Sequence, residues 1–153
     1  MEKLVEIRMG FSGTREGMTN GQSKKVADII DWFRPQEFHH GDCIGADAEI
    51  HVIARKHEYI WMIGHPPTDD SKRAFCEFDQ IRLPQEYKAR DKRIVIESNI
   101  LVATPKDPFE VLRSGTWTTI RYGLEANIPV LIVRPDGTLM VDGLFGLSGI
   151  LEY

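Results

Sequence analysis

Cysteines and long apolar runs are scarce in this sequence. Its two cysteines, Cys43 and Cys76, stand far apart and form no C-x-x-C pair, which argues against a disulfide framework and a cysteine-based zinc site. No apolar run approaches the ~18 residues that a membrane-spanning helix needs. The polar start, MEKLVEIRMG, does not have the pattern of a signal peptide. We therefore expect a cytoplasmic protein with no membrane partner.

Positive charge is also in short supply, with 19 lysines and arginines against 23 aspartates and glutamates and a net charge of −4. Sequence-independent binding to a phosphate backbone requires clustered positive charge, so this balance disfavours a nucleic-acid-binding module. It leaves room for a local basic pocket that holds one small anion. Residues 72–93 are locally basic, although most charges in such a stretch are typical of a solvated helix face.

The 153 residues are enough for one domain with one core, and contents of 42% hydrophobic and 27% charged residues are ordinary for a globular protein. Short apolar runs alternate with segments of helical periodicity. The patterns predict strands at 5–11, 37–40, 59–64, 100–105 and 129–133, and helices at 22–33, 45–56, 86–97 and 116–126. In the second helix we expect Ala48 and Val52 to pack inward, with Ile53 and Ala54 as further candidates.

Strands separated by helices indicate βαβ units and a mostly parallel sheet. The sequence therefore predicts an α/β fold in which residues 1–153 form a single doubly wound, Rossmann-like domain, with about five or more strands flanked by helices. Ligands of such folds bind at the carboxyl ends of the strands, where the strand order reverses. Three glycine- and charge-rich loops follow the first, second and fourth strands: SGTREG, HHGDCIGAD and TPKDPFEVLRSGTW.

The first of these loops lacks both common phosphate-binding patterns. Neither G-x-x-x-x-G-K-[ST] nor G-x-G-x-x-G fits GFSGTREGMTNGQ. What is present is a turn before a helix, where Gly13 lets backbone N–H groups approach an anion and Thr14 and Arg15 face phosphate or ribose. The alternative is a turn that merely needs glycine, with Thr19 or Asn20 capping the helix.

In the second loop, Gly41 and Gly45 flank the start of a helix, and Asp42 is a candidate for accepting hydrogen bonds from ribose hydroxyls. The alternative is that Asp42 only caps this helix. His39 and His40 suggest a metal site, but adjacent strand residues point to opposite faces and can hardly bind one ion together. We expect no metal here and no cofactor.

The third loop ends at the start of another helix. Ser114, Gly115 and Thr116 open this helix, and free N–H groups at a helix N-terminus favour an anion. Trp117 could stack on a base, but a tryptophan in the first turn of a helix is more often part of the packing.

These loops, in this order, resemble the SLOG superfamily of DprA- and LOG-like Rossmann-fold nucleotide-binding proteins over residues 5–137. GTREGMT is similar to the opening motif of small stand-alone members, and GDCIGAD is similar to their glycine-rich second motif. Arg90 stands eight residues before Ser98-Asn99, where LOG-type phosphoribohydrolases carry an arginine before a Ser-Asp pair. The SGT at 114–116 takes the place of the end of the family's P-G-G-x-G-T motif.

The loops and the resemblance together imply one concave nucleotide site. Its expected ligand-binding residues are Gly13, Thr14, Arg15, Gly41, Asp42, Gly45, Arg90, Ser114, Gly115 and Thr116. For Arg90, the alternative is an ordinary solvated helix charge. The resemblance also implies a homo-oligomer, most simply a dimer, and the apolar tail GLFGLSGILEY is in keeping with this.

One departure from the family bears on catalysis. The phosphoribohydrolases place a catalytic glutamate three residues after the Gly-Thr, where this chain has Thr119. The leading hypothesis is therefore a protein that binds a small nucleotide or nucleotide derivative as a sensor, sequestering protein or carrier. The alternative is an enzyme, a nucleoside-monophosphate N-glycosidase or transferase, with Asp42 as its candidate catalytic carboxylate. A nucleic-acid-binding module is the third hypothesis.

Overall fold

The computed structural model describes residues 6–143. Over most of this range strands and helices alternate along the chain, as the sequence pattern predicted. The strands are β1 (Arg8–Gly13), β2 (Glu37–His40), β3 (Trp61–Gly64), β4 (Gln80–Ile81), β5 (Ile100–Thr104), β6 (Val130–Val133) and β7 (Leu139–Asp142). The α-helices are α1 (Asn20–Phe33), α2 (Ala46–Ala54), α3 (Tyr87–Ile96) and α4 (Gly115–Glu125), and a short 3₁₀ turn spans Asp70–Lys72.

The strands form one sheet in the order β4-β3-β2-β1-β5-β6-β7. All neighbours are parallel except β6 and β7, which pair in the antiparallel sense. The chain builds outward from β1 through β2, β3 and β4, and then crosses to the other side of β1 to form β5. The strand order therefore reverses between β1 and β5, where a crevice opens at the carboxyl ends of the strands.

Alternating strand residues build a core on each face of the sheet. In β5, Ile100 and Val102 belong to the core that α1 and α2 cover, whereas Leu101 and Ala103 belong to the core with α4. This alternation is the two-residue period of an extended strand. The result is a sheet between two helical layers, and it confirms the predicted α/β, doubly wound architecture.

Two details differ from the sequence-based expectations. Val52, expected to pack inward, is 65% exposed, because α2 turns Ala46, Ile50 and Ala54 toward the core instead. The apolar residues 144–153, which supported the expectation of a dimer, lie outside the described residues, so the dimer stays a prediction. None of the helices within residues 6–143 combines the length and the apolar character needed to cross a membrane.

Candidate functional site

A cavity of about 370 Å³ lies at the carboxyl ends of β1 and β2, beside the point where the strand order reverses. Four segments line it: the end of β1 with the β1–α1 loop, the β2–α2 loop with the first turn of α2, one face of α3, and the β5–α4 loop with the first turn of α4. This is the position that the topology of a doubly wound sheet favours for a ligand. The volume is at the lower end of the ~300–1,000 Å³ range of small-molecule sites.

The cavity gathers most of the residues that the sequence pointed to. Among the expected ligand-binding residues, the following line it: Gly13, Thr14, Arg15, Gly41, Arg90, Ser114, Gly115 and Thr116. Gly45 and Asp42 are not among the lining residues. Loops far apart in the sequence therefore meet at one site, as expected from parallel strands whose carboxyl ends share one edge.

Gly45 supports the cavity from behind. Its φ of 95° lies in a region that L side chains rarely adopt, and a Cβ atom there would lie 2.4 Å from the carbonyl oxygen of Arg15. The neighbouring Ala46 N–H donates a hydrogen bond to the Thr14 carbonyl at 2.9 Å. Glycine at position 45 thus lets the first loop pack closely on the N-terminus of α2.

Asp42 faces away from the cavity, which corrects its assignment as a ligand-binding and candidate catalytic residue. Its side chain is fully buried, and its two oxygens accept hydrogen bonds from Arg73 Nε at 2.6 Å and from the Cys76 N–H at 2.9 Å. The backbone of Asp42 has φ 54°, and the side chain is engaged in holding the segment around Arg73 and Cys76. It does not cap α2, whose N-cap residue is Gly45.

Arg90 lies in the floor of the cavity and is only 4% exposed, so it is not a solvated helix charge. Its Nε donates to Asp91 Oδ1 at 2.7 Å and its Nη1 to the Gly41 carbonyl at 2.8 Å. Within residues 6–143, its Nη2 donates to no protein group. A buried guanidinium with one unused amino group is suited to hold an anionic or hydrogen-bond-accepting part of a ligand.

Gly41 makes room for this guanidinium. A Cβ atom at position 41 would lie 2.3 Å from Arg90 Nη1 and 3.0 Å from an oxygen of Asp47. The absence of a side chain therefore lets the arginine and the carboxyl group share the space at the end of β2. Gly41, expected from the sequence to bind the ligand, thus makes room for this close approach.

Two carboxyl groups of the floor, Asp47 and Asp91, were not assigned to the site from the sequence. Asp47 Oδ2 accepts the Cys43 N–H at 3.1 Å. Burial raises the pKa of Asp47 to about 7, although the nearby Arg90 opposes this shift. Burial also raises the pKa of Asp91 above its ordinary value, against the effects of Arg90 and the Thr119 hydroxyl. Carboxyl groups with raised pKa values in a cavity are typical of sites that bind or transform ligands.

Tyr87 lies beside these charged groups, at the start of α3. Its ring centroid is 5.6 Å from the guanidinium carbon of Arg15 and 4.9 Å from that of Arg90, and its hydroxyl accepts a weak hydrogen bond from Arg15 at 3.4 Å. Tyr87 was not selected from the sequence. The signal that points to it is its spacing of three from Arg90, which makes the two residues neighbours on one helix face. An aromatic ring at this place could also stack on a planar ligand.

The N-terminus of α4 completes the opposite wall. Ser114 caps this helix, because its Oγ accepts the Trp117 N–H at 3.2 Å. The first N–H groups of any helix lack intrahelical partners, and those of Gly115 and Thr116 belong to this set. Since both residues line the cavity, the positive end of the helix dipole is available to an anion. Trp117 packs in the core and does not line the cavity.

The rim of the cavity carries charges of both signs: Arg15, Glu16, Lys106 and Arg113 are exposed, and Asp107 is half-buried. Lys106 Nζ lies 3.0 Å from Glu16 Oε1, so the first and third loops are joined by a solvated ion pair. The cations of this rim can approach a phosphate group held at the N-terminus of α4. The chain is acidic overall, but its cavity is locally rich in donors for an anion.

Two histidine clusters near the cavity have the composition of metal sites. The first contains His40, His51 and Cys76. The Asp42 N–H donates to His40 Nδ1 at 3.0 Å, so the proton of the neutral His40 ring is on Nε2. His40 Nε2 donates this proton to His51 Nδ1 at 2.8 Å. His51 Nε2 in turn donates to the Glu77 carbonyl at 2.9 Å. All four ring nitrogens of His40 and His51 are therefore engaged in hydrogen bonds. Burial and the nearby Asp42 also raise the pKa of Cys76 to about 12, so the arrangement does not fit a metal site.

The second cluster contains His39, His65 and Glu97. His39 Nε2 donates to Glu37 Oε1 at 2.9 Å, and His39 Nδ1 lies 2.9 Å from His65 Nε2. The Glu97 carboxylate is already paired with two arginines, which would oppose a bound cation. As expected for adjacent strand residues, His39 and His40 belong to different clusters.

Comparison with known proteins supports the fold. No family model matches the sequence, and no curated protein is significantly similar to it. Among solved structures, the molybdenum cofactor binding protein from the phototrophic bacterium Rippkaea orientalis is similar with a TM-score of 0.65 and 17% identity, covering 98% of this chain and 85% of that chain. DNA processing protein A (DprA) from Streptococcus pneumoniae is similar with a TM-score of 0.63 and 17% identity, covering 96% of this chain and 56% of that chain.

These likenesses show that the chain has a DprA-like fold. The fold that the sequence motifs implied is therefore confirmed. The chain spans little more than half the length of DprA, and what these two proteins bind or process is a property of those proteins.

Proposed function

We propose that the cavity binds a small phosphorylated nucleotide derivative, and that the protein acts as a sensor, sequestering protein or carrier of this ligand. The observation that carries the proposal is the pairing of a buried guanidinium, Arg90, with the free N-terminus of α4 in one cavity. Both supply N–H donors that a phosphate or ribose group would satisfy. A likeness to a protein named for binding a cofactor is in keeping with a small-molecule ligand on this fold.

The ligand that fits is of mononucleotide size. The cavity volume of about 370 Å³ is near the lower limit for small-molecule sites, which favours one nucleoside unit over a dinucleotide. The phosphate lies against Gly115 and Thr116 at the start of α4, and Arg15, Lys106 and Arg113 of the rim face it. The ring of Tyr87 and the floor residues face the ribose or the base.

Native mass spectrometry of the purified protein with a panel of nucleosides, nucleoside 5′-monophosphates and dinucleotides tests this proposal. We expect retention of an intact monophosphate and none of the unphosphorylated nucleoside. Arg15→Ala should weaken the retained complex by about ten- to a hundredfold, since a charge-assisted hydrogen bond contributes roughly 1.5–3 kcal/mol. Arg55→Ala, which removes an arginine outside this cavity, is the matched control. Equal retention of nucleoside and nucleotide would refute the phosphate assignment.

A second candidate function is cleavage of the N-glycosidic bond of a nucleoside monophosphate. It is favoured by one observation: Asp91 lies beside Thr119. Thr119 stands at the position where phosphoribohydrolases carry their glutamate, so Asp91 brings a carboxyl group to the same place. Asp47 is a second carboxyl group in this cavity. A carboxylate near the ribose stabilises an oxocarbenium-like centre or activates water. Chromatography of the same incubations distinguishes the two functions, because free base and ribose 5-phosphate appear only if the bond is cleaved. Their absence with an intact bound nucleotide would favour binding alone.

A further inference from the structure

The floor of the cavity buries an unequal number of positive and negative groups. Asp47 is 7% exposed, Asp91 is 6% exposed, and both face the single guanidinium of Arg90, which is 4% exposed. With all three groups ionised, the floor would carry one uncompensated negative charge. A buried charge without a partner is strongly unfavourable, so one carboxyl group has reason to hold a proton.

The hydrogen bonds show which carboxyl group this is. Asp91 Oδ1 accepts a direct hydrogen bond from Arg90 Nε at 2.7 Å, and this pairing favours its ionised form. Asp47 accepts one backbone hydrogen bond, from Cys43, and makes no direct ion pair with a described residue. Asp47 is therefore the carboxyl group with the weakest support for a negative charge.

The other groups around Asp47 do not supply that support. In the β2–α2 loop, Asp42 is paired with Arg73, and burial raises the pKa of the Cys43 thiol, which keeps it neutral. In α3, Arg90 stabilises a negative charge on Asp47, whereas Asp91 opposes it. The rim charges of the first and third loops are exposed to solvent: Arg15, Glu16, Lys106 and Arg113. Burial outweighs these effects and raises the pKa of Asp47 to about 7.

A phosphorylated ligand would further disfavour the ionised form of Asp47 in two ways. It brings negative charge into the cavity, and it displaces water from the floor. Each change disfavours the ionised form of a nearby carboxyl group. The ionised Asp47 would also compete with the ligand for the attraction of Arg90.

We propose that Asp47 sets the charge of the ligand site: a phosphorylated ligand binds with Asp47 as the neutral acid, and one proton enters the protein together with it. This inference rests on the proposed function of the cavity. It assigns to Asp47 a part in selecting anionic ligands, because an ionised Asp47 would repel a phosphate group held in the same cavity.

The sign of the pH dependence follows from linkage. Well below pH 7 Asp47 already holds its proton in the free protein, so binding takes up none. Above pH 7 the free protein has lost this proton and must regain it on binding, so affinity falls by about tenfold per pH unit. The phosphate of a nucleotide has its own second pKa near ~6 and is already fully ionised in this range.

Isothermal titration calorimetry with adenosine 5′-monophosphate, between pH 7.0 and 8.5 in HEPES and in Tris, measures this proton directly. The two buffers have different ionisation enthalpies, and the difference in observed heat gives the number of protons exchanged. We expect uptake approaching one proton per ligand at pH 8, and none in Asp47→Asn. The amide is nearly isosteric with the neutral acid and can still accept the Cys43 N–H, so this variant should bind at pH 8.5 at least tenfold more tightly than wild type.

Asp107→Asn is the matched control, because it removes a carboxylate from the rim of the same cavity, away from Arg90, and should keep the proton uptake. Proton release, or the same pH slope in wild type and Asp47→Asn, would overturn this inference while leaving nucleotide binding established. If wild-type protein bound none of the panel nucleotides at any of these pH values, the proposed function would fall and this inference with it. Circular dichroism melting of both variants confirms that they are folded.

Discussion

At the scale of single residues, Arg90 connects the stability of the protein with its ligand site. Its guanidinium holds Asp91, the Gly41 carbonyl and more weakly the His65 carbonyl, while one amino group remains for a ligand. The same side chain therefore joins α3 to the ends of β2 and β3. A substitution that tests ligand binding at this position also tests the fold.

Arg90→Ala should lower the free energy of unfolding by about 3–5 kcal/mol, because it leaves two buried carboxyl groups without their cation. Urea denaturation at pH 7 measures this loss. Arg93→Ala removes a half-exposed arginine from the same helix and should cost less than about 1 kcal/mol. Arg90→Lys is the better probe of ligand binding, since it keeps the charge but loses the planar pair of donors. Similar losses for Arg90→Ala and Arg93→Ala would contradict the buried network.

At the scale of elements, the site depends on how the N-terminus of α2 receives the β1–α1 loop. The Ala46 N–H holds the Thr14 carbonyl, and Gly45 gives the Arg15 backbone the space to approach. Gly45 therefore shapes the cavity through the position of Thr14 and Arg15. This explains how a glycine of the second motif belongs to the site although it does not line the cavity.

Gly45→Ala should destabilise the protein by at least about 1–3 kcal/mol, the cost of a side chain in a sparsely populated backbone region. The displaced first loop should also weaken nucleotide binding. Thermal unfolding and calorimetric titration measure the two effects. Gly115→Ala is the control for stability, because a Cβ there meets only Tyr87, at an ordinary contact distance of 3.4 Å. Unchanged stability and affinity in Gly45→Ala would show that the β1–α1 loop does not depend on the close contact between the Arg15 backbone and position 45.

At the scale of the whole molecule, buried histidines make the fold sensitive to acid. Burial lowers the pKa of four of them, His39, His40, His51 and His65, the last to about 3. These rings are neutral in the folded protein, and the two clusters they form join the ends of β2 and β3 to α2. In the unfolded chain the same rings take up protons near their ordinary pKa of ~6.5.

The unfolded state therefore binds more histidine protons than the folded state below about pH 6.5, and stability should fall as the pH falls from there. Each histidine contributes about 1.4 kcal/mol per pH unit. Asp47 and Asp91, whose pKa values are raised, offset part of this loss. Urea denaturation at pH 7 and pH 5 should show a marked decrease in the free energy of unfolding. In His65→Gln, the free energy of unfolding should fall less between pH 7 and pH 5 than in wild type. His57→Gln is the control, because His57 is partly exposed beside Asp31, and its free energy of unfolding should fall as much as in wild type.

The layer architecture and most of the loops that line the cavity could be predicted from the sequence. Alternating strand and helix patterns predict a parallel sheet, and the carboxyl ends of parallel strands lie at one edge, so Gly13, Arg15, Gly41 and Ser114 could be placed together. The strand β4 was missed because only two residues form it, and β7 because it is a partly exposed, antiparallel edge strand.

The tertiary structure is needed to tell which carboxyl groups face the cavity. Asp42 stands in the β2–α2 loop and Asp47 in the first turn of α2, and no local pattern tells which of them turns toward the cavity. The direction is decided by partners distant in sequence: Arg73 holds Asp42 in the interior, and Arg90 approaches Asp47 over Gly41. The same holds for the raised pKa of Asp47, because desolvation depends on all the segments packed around a group, which the order of residues along the chain does not reveal.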